Sequence, residues 1–160
     1  MKQNLYNWNF SLLFLSLVLL KTIVAWIFPV VGDETYYWVW GQNLQLSYYD
    51  HPAGVGLLTW LSAWLQSFIP MISKSVSLRL PFIILSTLTL FIWLKIFLQK
   101  NQTASDMKWF VIFYMLNPLL GVGGIFATPD VPLLFFWSLS YYCVLQIIKT
   151  QKKTWYILLG

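Results

Sequence analysis

The chain has 160 residues, of which 59% are hydrophobic, 19% aromatic and only 9% charged, with a formal net charge of +5. An ordinary soluble domain carries about a quarter charged residues, so that class is excluded, and several apolar runs near or beyond roughly 18 residues point to a polytopic helical membrane protein. The positive balance is no sign of nucleic-acid binding, because the lysines fall between apolar blocks, where they set membrane orientation.

The first block, Phe10–Val31, would be about 33 Å long as a helix, enough for a bilayer core of about 30 Å. It exceeds the h-region of a signal peptide and no small-x-small cleavage site follows it, so it reads as a retained span. Lys21 interrupts this span and either faces a protein interior, snorkels to the interface, or serves as a cation in a buried pathway. Next, Gly32–Pro52 is a polar interruption that holds Asp33, Glu34, Asp50 and His51. Within it, residues 34–41 read as a short aromatic helix at the membrane–water interface, with Asp33 as N-cap and Gly41 as terminator. A softer loop, Gln42–Tyr49, leads to Asp50-His51-Pro52.

The block 54–69 would be about 24 Å long, short for a span. Thr59, Ser62 and Gln66 fall on one of its faces and Leu58, Leu61, Leu65 and Phe68 on another, the pattern of a helix lying on the interface or packed on the bundle. Further spans are expected at 80–98, at 109–127 and at 131–148, with another beginning at 155. Asn117-Pro118 and Gly121, Gly123 and Gly124 break or thin the middle one, as neighbouring protein allows in a membrane helix. Asp130 is placed as N-cap of the next, with Pro132 in its first turn. The lone Cys143 excludes an intrachain disulfide. The run after Trp155 stops at Gly160 as though within a span, so the 160 residues are expected to be the N-terminal transmembrane segment of a larger domain.

Lysine counting sets the topology. If 54–69 does not cross, Lys2, Lys95, Lys100, Lys108, Lys149, Lys152 and Lys153 share one side and Lys74 and Arg79 the other, which obeys the positive-inside rule far better than the alternative. The N-terminus is then cytoplasmic, and Asp33, Glu34, Asp50, His51 and Asp130 gather on the outer face.

Only five carboxylates and one histidine occur in the chain, and all but Asp106 lie in the two breaks, 32–52 and 128–130. Asp33-Glu34 and Asp130 have helix-start roles available to them. Asp50-His51 has none. Carboxylates with a histidine at a dry interface suit a divalent cation, or a base beside a phosphate, although no His-x-x-His or Cys-x-x-Cys pair accompanies them.

Asp33-Glu34-Thr35-Tyr36-Tyr37-Trp38 followed by Tyr48-Tyr49-Asp50-His51-Pro52 resembles the N-terminal part of the membrane glycosyltransferases of the protein O-mannosyltransferase and lipid A aminoarabinose transferase type, the C-type fold. Thr128-Pro129-Asp130-Val131-Pro132 and Arg79-Leu80-Pro81 resemble them too, and the likeness extends from about Leu12 onward. The resemblance implies an all-α membrane protein, a transmembrane helix bundle with juxtamembrane helices in its first outer loop. It implies transfer of a sugar from a polyprenyl-phosphate-linked donor to a lipid, glycan or protein acceptor on the outer face of the cytoplasmic membrane. By position, Asp33 matches the catalytic carboxylate, while Glu34, Tyr37, His51 and Asp130 match donor- or acceptor-binding positions. Asp50 matches an acid linked to a divalent metal ion or the donor. Ala53 departs from the second proline of many relatives, and relatives continue for several hundred residues. Two rival readings are an inactive remnant of such an enzyme and a non-enzymatic carrier of lipid-linked intermediates, for which only Lys21 and the Asn117-Pro118 break speak.

Overall fold

The computed structural model describes residues 10–99 and 103–160. Seven helices follow in order: α1 (Phe10–Ile27), α2 (Gly32–Gln42), α3 (Gly54–Phe68), α4 (Lys74–Leu98), α5 (Ala104–Leu116), α6 (Asp130–Thr150) and α7 (Lys153–Leu159). A π-helical turn, Pro118–Val122, and a 3-10 turn, Gly123–Ile125, link α5 to α6. Two helices, α4 and α6, are each long and apolar enough to cross a membrane. The count reaches four if α1 with α2, bent by 107°, and α5 with its following turns, bent by 72°, each make one span. The chain is an all-α membrane protein.

Several helix ends differ from the sequence expectation, and each has a local cause. α1 ends at Ile27, before Pro29 and not at Val31, and the chain then turns sharply into α2. Val31 is the N-cap of α2, so Asp33 lies inside the first turn and is not the cap; the cap N–H is taken by the Glu34 side chain at 3.1 Å. Gly41 does not terminate α2, which runs on to Gln42. Its missing side chain instead lets α2 lie against α3, since a Cβ there would stand 2.6 Å from the Thr59 backbone. α4 starts at Lys74 and not Leu80, because Ser73 accepts the Val76 N–H at 3.3 Å and the helix accommodates Pro81. A Thr103–Asp106 capping box likewise starts α5 ahead of Trp109, and Pro129, not Asp130, is the N-cap of α6. The break at Asn117-Pro118 is present; the Asn117 side-chain oxygen accepts the N–H groups of Leu119 and Leu120, both at 2.9 Å.

α3 is apolar outside and polar inside. Thr59 and Ser62 are buried, while Leu57, Trp60, Leu61, Trp64 and Phe68 are exposed. Ser62 donates to the Leu78 carbonyl at 2.8 Å and so ties α3 to α4. This inversion suits a lipid-facing helix, because apolar surface costs nothing against lipid and polar side chains gain by meeting across helices.

The long helices alternate in direction around α4. α1 packs antiparallel to it, with Phe14 against Phe91 at 5.5 Å and the Lys21 ammonium donating to Ser86 Oγ at 2.9 Å. Lys21 therefore faces the protein interior. α5 is also antiparallel to α4, pairing Phe110 with Phe97 at 4.7 Å. α6 runs beside α4 in the same sense, and Trp93 Nε1 donates to Ser138 Oγ at 2.9 Å. One end of the bundle thus collects the C-terminus of α1, the starts of α4 and α6, and helices α2 and α3. Lys95, Lys108, Lys149, Lys152 and Lys153 lie toward the other end; Lys2 and Lys100 fall outside the described residues.

At the first end sits a fully buried ion pair. Arg79 donates through Nε to Glu34 Oε1 at 2.8 Å and through Nη2 to Glu34 Oε2 at 2.6 Å. Its other N–H groups meet the carbonyls of Ala25 at 2.9 Å, Phe28 at 2.8 Å and Pro29 at 2.7 Å. The guanidinium also lies 4.9 Å above the Phe126 ring. Glu34 accepts further N–H groups from Val31 and, at 2.9 Å, from Ala127. Burial alone would raise the Glu34 carboxyl, but the Arg79 hydrogen bond and the Ala127 and Val31 N–H groups outweigh it and hold the group below its ordinary value of 4.5.

Removing either partner leaves the other buried and uncompensated, a loss of about 3–5 kcal/mol. Glu34→Gln and Arg79→Met should each lower the thermal unfolding temperature of the detergent-solubilised protein, and the double variant Glu34→Leu/Arg79→Met should stay below the parent too, because the Ala25, Phe28 and Pro29 carbonyls and the Ala127 N–H lose their partner. The folded-state pKa of Glu34 is depressed, so its contribution is complete above the ordinary value and disappears as pH falls through the lower folded value. Glu34→Gln should flatten that acid limb. Single variants as stable as the parent would remove the pair from its place at the centre of the fold.

Candidate functional site

Beside the ion pair, the two polar breaks of the chain meet. Glu34 reaches across to the Ala127 N–H, three residues before Asp130, so the start of α2 and the start of α6 are fixed to each other. Asp33, about 100° further back around the helix, is exposed and takes no hydrogen bond from the described residues. Asp130, the first residue of α6, is exposed as well.

Tyr37 lies one helical turn from Asp33 and is only 9% exposed, packed among Trp40, Val55, Phe82 and Val131. Its hydroxyl has no hydrogen-bond partner among the described residues. Burial, and then the negative charges of Asp33, Asp50 and Asp130, push that hydroxyl above its ordinary pKa. The phenol therefore remains a protonated donor.

The 47–52 turn closes the other side. Ser47 and Pro52 form an isolated bridge, and the Tyr48 N–H donates to the His51 carbonyl at 3.0 Å. Asp50 accepts the Tyr36 hydroxyl at 2.9 Å. The half-buried His51 ring lies edge-on to Tyr37 at 5.9 Å and 6.1 Å from Trp40. His51 and Asp130 then face a common groove of about 430 Å³, walled by Pro52, Val55, Pro129, Pro132, Leu133 and Phe136. Polar groups stand at its rim and apolar ones continue along α6.

The structure thus gathers Asp33, Tyr37, Asp50, His51 and Asp130 at one end of the bundle. Glu34 belongs to the scaffold beneath them, with both oxygens occupied by Arg79 and two backbone N–H groups. Among the described residues, no three His, Cys, Asp or Glu side chains converge closely enough to hold a metal ion. Sequence reasoning did not anticipate Arg79 as the partner of Glu34, or Tyr36 as the partner of Asp50. The signal for the first was there: an arginine heading a long apolar run has to find an acid or carbonyls. Nothing in the spacing of Tyr36 and Asp50 marks the second.

The dolichyl-phosphate-mannose-protein mannosyltransferase family matches residues 50–160. No curated protein and no solved structure matches the chain. The matched stretch includes Asp50, His51, Arg79 and Asp130 and most of the helical frame that carries them. On that match the chain belongs to the dolichyl-phosphate-mannose-protein mannosyltransferase family of membrane glycosyltransferases, which use a lipid-linked sugar.

Proposed function

We propose that this segment forms the acidic mouth at which a sugar passes from a polyprenyl-phosphate donor to an acceptor hydroxyl, on the outer face of the cytoplasmic membrane. The observation that carries the reading is the meeting of the two acid-bearing breaks, joined by the Glu34 bond to the Ala127 N–H and by His51 against Tyr37, beside an apolar-walled groove that His51 and Asp130 share. Such a donor has an apolar tail, an anionic linkage and a polar head. The tail lies along Leu133 and Phe136, and the phosphate sits beside His51 where the groove opens. The sugar enters the mouth, where Tyr37 and Asp130 contact it.

Asp33 is the general base in this scheme. Its carboxylate takes the proton of the acceptor hydroxyl as that oxygen bonds to the anomeric carbon. The bond from that carbon to the phosphate oxygen breaks, and its electron pair leaves on the polyprenyl phosphate. Asp33 is suited to this because no hydrogen bond from the described residues occupies it and because Val31 and Glu34, not Asp33, cap α2. The carrier reading draws on Lys21 and the broken α5, but Lys21 is engaged with Ser86, and Ser86 with the Gly124 carbonyl at 2.6 Å. Both features are used in packing.

Asp33→Asn should leave the unfolding temperature unchanged and slow turnover of a radiolabelled polyprenyl-phosphate sugar by roughly 10²–10⁴, the usual cost of losing a general base. Near-parental turnover by a normally folded variant would take the catalytic role away from Asp33.

The orientation has its own test. In a Cys143→Ala background, Ser47→Cys and Ser73→Cys should react with an impermeant thiol reagent added outside the cell, and Gln151→Cys only after the membrane is opened. Labelling of positions 47 and 73 from opposite sides would mean that α3 crosses the bilayer and would break the proposed mouth apart.

A further inference from the structure

The 47–52 turn is held at its base but not, by the backbone, at its tip. The Tyr48 ring stacks on Trp40 at 4.2 Å with the planes 1° apart, and its hydroxyl donates to the Trp40 carbonyl at 2.9 Å. Gly56 leaves room for that ring, since a Cβ there would come within 2.6 Å of it. Tyr49, next along, is fully exposed. What fixes the tip is one side-chain bond, from the Tyr36 hydroxyl to Asp50 Oδ1 at 2.9 Å. The Tyr36 ring is itself braced edge-on against Trp40 at 4.9 Å and tilted against Tyr37 at 5.6 Å.

This leaves Asp50 Oδ2 with no partner among the described residues, and the adjoining His51 ring, 5.9 Å from the Tyr37 ring, sets it on the same side as a second unpartnered group, the hydroxyl of Tyr37, a residue only 9% exposed. One is an acceptor and the other a donor. Together they match a sugar hydroxyl, which donates once and accepts as well. They do not match a phosphate, which offers acceptors alone and would be repelled by the carboxylate.

We propose that Tyr36 is a positioning residue for sugar recognition: by holding Asp50 Oδ1 it aims Asp50 Oδ2 so that a sugar hydroxyl donates to it while accepting from Tyr37. The assignment rests on the reading of this end of the bundle as a donor mouth. It adds to that reading a pair that reads the sugar and not the phosphate. Tyr36 touches no substrate and acts through Asp50.

The experiment compares binding of dolichyl-phosphate mannose with binding of dolichyl phosphate, the same lipid without the sugar, to the full chain in detergent. The unmodified protein should prefer the mannose-bearing lipid. Tyr36→Phe keeps the ring contacts and loses only the hydroxyl, so the protein should stay folded. Its affinity for dolichyl-phosphate mannose should fall about tenfold, as for loss of one hydrogen bond to a charged group, with affinity for dolichyl phosphate unchanged. Asp50→Asn should fall similarly, and Tyr36→Phe/Asp50→Asn should be no weaker than Asp50→Asn alone, because the two residues act as one unit. Equal weakening toward both lipids, or additive losses in the double variant, overturns the positioning role while leaving the donor mouth in place. An unmodified protein that binds neither lipid, or does not tell them apart, overturns the donor-mouth reading and this assignment with it.

Discussion

The arrangement of this protein depends on the saturation of one ion pair. Arg79 has five N–H groups to place, and Glu34 with the carbonyls of Ala25, Phe28 and Pro29 receives them. Glu34 in turn has both oxygens filled by Arg79 and by the N–H groups of Val31 and Ala127. A buried ion pair is a weak source of stability, because desolvation cancels much of the attraction. Its strength here lies in specification. The three carbonyls are freed as α1 ends, one N–H belongs to the N-cap of α2 and another to the loop before α6. These bonds tie four pieces of chain to one another, so the pair sets register where apolar packing between helices would tolerate slippage.

This explains how two adjacent acids come to have different fates. Asp33 and Glu34 are neighbours in sequence, but at about 100° per residue on a helix one turns inward as the other turns out. The inward one neutralises the only arginine and vanishes into the frame. The outward one stays at the mouth with Asp50 and Asp130. The scaffold thus absorbs the arginine at this end and leaves carboxylates, phenols and a histidine at the mouth.

Much of this was legible in the sequence, and what was missed has a common reason. The membrane class, the two short helices that follow the first span, the break at Asn117-Pro118 and the meeting of the 32–52 and 128–130 breaks all follow from apolar run length, proline placement and lysine distribution. Helix starts were misplaced where a polar side chain served a backbone N–H unseen: Ser73 extends α4 ahead of Lys74-Arg79, and Thr103 with Asp106 extends α5 through a charged stretch that reads as loop. Cap preference is a statistical property of residue types and points to Asp33, whereas here the capping group is the Glu34 side chain folding back on Val31. Residue roles that depend on contacts across the fold, such as Tyr36 with Asp50, leave no trace in spacing.

The polarity of α3 carries the same logic into the bilayer. In water its leucines and tryptophans would face inward. Here Thr59 and Ser62 do, and the large apolar side chains face out. Between helices surrounded by lipid, burial of apolar surface drives nothing, so association relies on close approach and on hydrogen bonds that have no better partner. Gly41 against Thr59, Ser62 on the Leu78 carbonyl and Lys21 on Ser86 are bonds and contacts of that kind. They join α2 to α3, α3 to α4 and α4 to α1, a chain of polar contacts that ends at the Glu34–Arg79 pair. Asp33 and Asp130 at the rim, which accept no hydrogen bond from the described residues, are then free of structural duty, because the frame beneath them is already complete without their charge.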